Sequence, residues 1–112
     1  MTIQLNRIND TQYRILSGVD LGKAARTFFD LERLDNLEEV INVNIPDDVI
    51  SVNSSFFSGL FQASILSLGE QKFREHYIFS CDEVIRMNVE NGIFNIVKTA
   101  DLLGGQTWWK NL

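Results

Sequence analysis

Val49-Ile50-Ser51-Val52-Asn53-Ser54-Ser55-Phe56-Phe57-Ser58-Gly59-Leu60-Phe61 changes its period halfway along. Val49 to Val52 is a short apolar run rich in β-branched residues, and Asn53-Ser54-Ser55 interrupts it. Apolar residues then recur at helical spacing from Phe56 onward. The stretch predicts a strand that hands over to a helix at the Asn-Ser-Ser triplet. The free N–H groups of that helix then lie at the triplet. A side-chain oxygen there can cap them, and a phosphate is favoured at the positive end of the helix dipole.

Downstream, a helix is predicted over Ser54–Leu68. Phe57, Leu60, Phe61, Ile65 and Leu68 share one face, and Phe56 and Ala63 widen it. Ser55, Ser58, Gly59 and Gln62 form a narrow polar side. So wide a stripe predicts a helix buried against a sheet or on two sides. Gly69 suits the C-cap. Glu70 to Glu75 predicts a further helical turn with Phe73 inward, and Tyr77-Ile78-Phe79 a short strand. Asp82 can cap a third helix, with Ile85, Val89, Ile93 and Ile96 as its core stripe. Val84, Met87 and Phe94 lie roughly opposite, which hints at a partner or subunit contact. The tail from Asp101 to Leu112 carries Gly104-Gly105 and then Trp108-Trp109. The paired Trp residues either fold back on the core or anchor an interface. The expected organisation is one domain over residues 1–103 and a C-terminal tail over 104–112.

Upstream, Val40, Ile41, Val43 and Ile45 read as a largely buried strand, closed by Pro46-Asp47-Asp48. An amphipathic helix is predicted from an Asp20 N-cap to about Leu34. Leu21, Ala24, Ala25, Phe28, Phe29 and Glu32 fall on its inner side, with Lys23, Arg26 and Asp30 toward water. Asp35-Asn36 reads as its break. Nearer the N-terminus, Ile3–Ile8 and Tyr13–Leu16 suggest a hairpin turning at Asn9-Asp10-Thr11. Strands and helices alternate. The expected fold class is therefore α/β, a small mixed sheet with amphipathic helices packed on at least one face.

At 112 residues the chain has the size of one domain, and 45% hydrophobic residues with eight Phe supply a core. A single cysteine, Cys81, excludes an internal disulfide framework and suits a reducing, cytoplasmic setting. No run approaches the roughly 20 apolar residues of a membrane span. The first seven residues lack the charged-then-apolar profile of a signal peptide. Net charge is −5, and the ten Lys and Arg are scattered without a basic stripe. Nucleic-acid binding needs clustered cations and is not expected.

From about Val40 to Ile93 the sequence resembles the bacterial STAS-like family, relatives of the STAS domains of anti-sigma-factor antagonists. The resemblance rests on the strand Val40–Ile45, the run Ile50 to Phe57, the helix ending at Leu68-Gly69, and Phe73 to Phe79. In the parent STAS proteins an Asp-Ser-Ser-Gly motif follows the corresponding strand, and a partner kinase phosphorylates a serine in it. By position Asn53 matches the Asp, Ser54 and Ser55 match the serines, and Ser55 is the best match to the phosphoacceptor. Phe56 stands where the parent motif has Gly. The resemblance implies a non-enzymatic regulatory module that binds a protein partner, with a histidine-kinase-like ATPase as the partner class.

Read as chemistry alone, Ser54 and Ser55 are helix caps or phosphoacceptors. Asn53 is a turn residue able to adopt a left-handed backbone, or a group that orients the serine. Its neutral amide is a weaker metal ligand and proton acceptor than Asp. Asn53, Phe56, Ser58, Trp108 and Trp109 are the candidate partner-binding residues. His76 and Cys81 flank a predicted strand, which keeps them from forming a nucleophile–base pair. The acidic pairs Asp47-Asp48 and Asp82-Glu83 occupy turns or helix starts for local reasons. Gly104-Gly105 lacks the setting of a phosphate loop. No metal, cofactor or catalytic residue is expected. The alternative function is a structural interaction protein in which the serines only cap: an immunity- or antitoxin-like binder, or a homodimer subunit.

Overall fold

The computed structural model describes residues 1–107, with side chains through residue 101. The fold is mixed α/β. Strands β1 (Thr2–Gln4), β5 (Ile41–Asn44) and β7 (Tyr77–Ser80) form a parallel sheet in the order β1-β5-β7. Ile3 stands beside Val43, and Val43 beside Phe79. Alternation sets the two faces. Ile3, Ile41, Val43, Tyr77 and Phe79 point into the core, whereas Thr2, Gln4, Asn42, Ile78 and Ser80 are exposed.

Helix α3 (Ser54–Leu68) lies on the inner face. The Phe61 ring sits 5.0 Å from Tyr77, 5.1 Å from Phe73 and 5.7 Å from Phe79, and Phe57 sits 5.2 Å from Phe61. These edge-on and tilted contacts fill the centre of the core. Gly69 closes α3 with φ 83° and also opens α4 (Glu70–His76), which buries Phe73. Helix α5 (Glu83–Thr107) starts at Asp82, whose carboxylate accepts from Ile85 N–H at 2.8 Å. It crosses α3 where Gly92 meets the Phe57 ring: a Cβ there would lie 2.6 Å from that ring. The helix runs on through Gly104-Gly105.

The N-terminal third departs from expectation. The hairpin is confined to β2 (Arg7–Ile8) and β3 (Thr11–Gln12), joined by Asn9 and Asp10 at φ 50° and 66°. Two consecutive positive φ values make the primed turn that matches strand twist, and Asn and Asp tolerate them. β1 leaves the hairpin to pair with β5. β4 (Ile15–Leu16) leaves it too and pairs in parallel with β6 (Ser51–Val52). Each of these two short strands feeds a helix, so their pairing sets two helix starts side by side.

The first helix is broken. α1 (Val19–Phe28) has Gly18, not Asp20, at its N-cap, and α2 (Leu31–Leu34) follows Asp30, which adopts φ 56° and ψ 49°. In one continuous helix Leu34 would face away from the Leu21–Ala25 stripe. The left-handed residue re-aims the chain, so Leu31 and Leu34 are buried and Phe28 and Glu32 are exposed. Gly59, expected toward water, is where α1 touches α3. A Cβ on Gly59 would lie 2.4 Å from Val19 O, and one on Gly22 would lie 2.2 Å from Phe56 O. Helix α3 is thus buried on two sides, with Ala63 outside the buried face. Val40 is exposed, and the strand begins at Ile41.

Candidate functional site

The parallel pair β4 and β6 delivers α1 and α3 to one corner of the molecule, and Asn53 joins them. Its Oδ1 accepts from Phe56 N–H at 2.9 Å, from Ser55 Oγ at 3.0 Å and from Gly18 N–H at 3.3 Å. Its Nδ2 donates to Ser17 Oγ at 2.7 Å. The backbone of Asn53 is extended, φ −85° and ψ 165°, so the left-handed turn expected of it is replaced by an N-cap. One amide therefore caps α3 and ties it to the start of α1. An amide suits this place because it donates and accepts at once.

The cap acceptor is thus Asn53 and not a serine, which corrects the expectation that Ser54 and Ser55 cap the helix. Ser54 is exposed, and its Oγ accepts from Asn95 Nδ2 of α5 at 3.1 Å. Ser55 is half-buried and donates to Asn53. Ser58, one turn on, donates to Gln62 Oε1 at 2.7 Å. All three serines line a cleft of about 290 Å³ whose far walls are Val19, Asn95 and Thr99, and among the described residues no charged side chain lines it. The floor of this corner is fixed by Asn88, whose Oδ1 accepts from Val52 N–H at 2.8 Å.

Phe56 does not join this surface. It is fully buried, which corrects its assignment as a partner-binding residue: at N3 of α3 it points into the core. Trp108 and Trp109 lie outside the described residues.

A second polar group, unread in the sequence, lies about three turns farther along α3 and is buried. Arg26 Nη2 pairs with Asp35 Oδ2 at 2.8 Å, with side chains only 20% and 6% exposed. Arg26 Nη1 donates to Ser64 Oγ at 2.8 Å and to Leu60 O at 3.0 Å. Ser64 and Tyr77 each donate a hydroxyl hydrogen to Asp35 Oδ1, at 2.7 and 2.5 Å. Arg26 was expected to face water. It turns inward because the kink at Asp30 carries Asp35 back toward it. Burial, then the bond to Asp35, pushes the Tyr77 phenol far above its ordinary range. Every hydroxyl here is committed, so the group ties α1, the end of α2, α3 and β7 together and presents no free nucleophile. Its one sequence signal is Ser64, a polar residue inside the apolar stripe of α3.

His76 and Cys81 stand at opposite ends of β7, about 16 Å apart at the usual strand rise. His76 Nε2 is 2.6 Å from Leu34 O. Burial pushes the Cys81 thiol up. No cluster of three or more metal-ligating side chains occurs among the described residues. No described helix is long and apolar enough to cross a membrane. Comparison of the chain with protein-family models, curated proteins and solved structures finds no match.

Proposed function

We propose that the chain is a cytoplasmic, non-enzymatic regulatory module of STAS-like type. It binds a partner protein at the corner where α1, α3 and α5 meet, and Ser55 is its phosphoacceptor. The observation that carries this reading is the division of labour at the start of α3. Asn53 holds the cap, so the serine hydroxyls are not needed to start the helix. Three of them line one surface cleft instead.

A phosphoryl group on Ser55 brings about −1.5 to −2 charges to the positive end of α3, which accommodates them. Among the described residues no Lys or Arg lines the cleft to neutralise that charge. It is therefore presented to whatever docks there, and an acidic or apolar partner surface is repelled without any change of fold. The partner class is a histidine-kinase-like ATPase able to transfer the phosphoryl group itself. Ser54 and Asn53 support the site, and Ser58 extends its rim.

The test is affinity capture from bacterial lysate with wild type, Ser55→Ala and Ser55→Asp, followed by ATP addition and peptide mapping of the bait. Wild type and Ser55→Ala retain one common partner, Ser55→Asp loses it, and ATP places a phosphoryl group on Ser55. Equal capture by Ser55→Ala and Ser55→Asp removes the switch.

A further inference from the structure

We propose that the outward face of α5 docks a second copy of this chain, helix antiparallel to helix. Val84, Met87 and Phe94 are 63, 66 and 63% exposed. With Asn91 and Lys98 they repeat at alternating steps of three and four residues, the spacing of a two-helix seam. Ile85, Val89, Ile93 and Ile96, all buried, occupy the opposite side of the same helix. Exposed apolar residues scattered singly need no explanation. Val84, Met87 and Phe94 share one side of the helix, directed away from the core, with Asn91 as the polar member of the repeat. Lys98 Nζ lies 6.0 Å from the Phe94 ring, at the limit of a cation–π contact, and leaves the ring exposed.

The charges on this stripe choose the occupant and its direction. In the antiparallel register, Val84 packs against Phe94 of the partner subunit, and Met87 against Asn91 of the partner subunit. Lys98 then extends past the apolar layers to Glu83 of the partner subunit, once at each end by symmetry. Among the described residues neither Glu83 nor Lys98 forms an ion pair within its own chain. A parallel pair would set Lys98 on Lys98 and Glu83 on Glu83, and like charges at such positions oppose pairing. The seam is thus self-complementary in one direction only. It is also short, about 15 Å from Val84 to Phe94. So small a contact belongs to weak, reversible association.

Sedimentation equilibrium of the full chain from about 5 to 500 μM tests this. Wild type passes from monomer to dimer. Phe94→Glu stays monomeric throughout, with the circular dichroism and thermal midpoint of wild type because the side chain is outside the core. Lys98→Glu and Glu83→Lys each weaken the dimer about fivefold or more, and the double exchange restores it. A wild type that stays monomeric, a dimer indifferent to Phe94→Glu, or an exchange that fails to restore pairing each overturns the proposal. The Ser55 cleft borders this stripe through Asn95 and Thr99 but shares none of its residues, so the Ser55 variants leave the seam intact and the two tests are read separately.

Discussion

Two polar groups sit along α3, one at its first turn and one near its far end, and burial makes them opposites. At the first turn Asn53, Ser54 and Ser55 are exposed or half-buried, and each bond they lose can be replaced by water. Farther along, Ser64, Tyr77 and Asp35 are almost inaccessible, and a lost bond there leaves a charge or hydroxyl with nothing to pair. Both groups gather several donors round a single side-chain acceptor, Asn53 Oδ1 in one and the Asp35 carboxylate in the other. The buried one is therefore costly to break. The exposed one can change state, and that freedom is what a switch requires.

The largest effect expected from breaking this contrast comes at Asp35. Asp35→Ala strands the Arg26 guanidinium and removes the acceptor of both Ser64 and Tyr77. Removing one partner of a buried pair costs about 3–5 kcal/mol. Urea unfolding should show a lower midpoint at unchanged slope. A loss under about 1 kcal/mol would mean that water reaches this group and that the contrast with the first turn is not one of burial.

The sequence was legible where the physics is local. The core face of α3, the Gly69 stop, the Asp82 cap and inward Phe73 each follow from spacing or from one capping residue. It was opaque where one residue redirects the chain. Nothing around Asp30 announces a left-handed break, yet that break buries Leu31 and Leu34 and turns Arg26 inward. The pairing of Ile15-Leu16 with Ser51-Val52 was equally hidden, since two-residue strands carry no period. The candidate site divides the same way. Its place at the strand–helix handover was readable. Ser17, Gly18 and Asn95, which complete it, arrive from distant segments, and only the fold brings them to Asn53 and Ser54.

Tyr77→Phe sharpens the comparison by removing one bond and keeping the ring. A hydrogen bond to a charged acceptor contributes about 1.5–3 kcal/mol, and Asp35 keeps Arg26 and Ser64. The effect should carry a pH signature. The phenol titrates well above its ordinary value in the folded chain and near 10 in the unfolded one. Below pH 10 both states hold the proton and the contribution is complete. As pH rises past 10 the unfolded chain loses its proton while the folded chain keeps it, so wild-type stability falls. Denaturation between about pH 8 and 11 should bring wild type and Tyr77→Phe closer together as pH rises. Parallel curves would show that the phenol is not held by Asp35.

The smallest effects belong to Asn53, and they decide whether the first turn is as rewritable as proposed. Asn53→Ala removes the acceptor of Phe56 N–H and the link to Ser17, at about 1 kcal/mol for a lost cap. Asn53→Asp keeps the acceptor and adds a negative charge at the positive end of α3. Ser17 can then turn its hydroxyl to donate, so the variant should fall within about 0.5 kcal/mol of wild type. If Asn53→Ala costs as much as Asp35→Ala, the junction is a structural clamp like the buried group and leaves no room for a change of state at Ser55. If it costs nothing, a serine hydroxyl has taken over the cap. Ser55→Ala in that background would then lower stability where it does not in wild type. The intermediate result, a modest loss that Asp rescues, is the one that leaves Ser55 free: the helix start is held by one residue, and its neighbours can be modified without unfolding it.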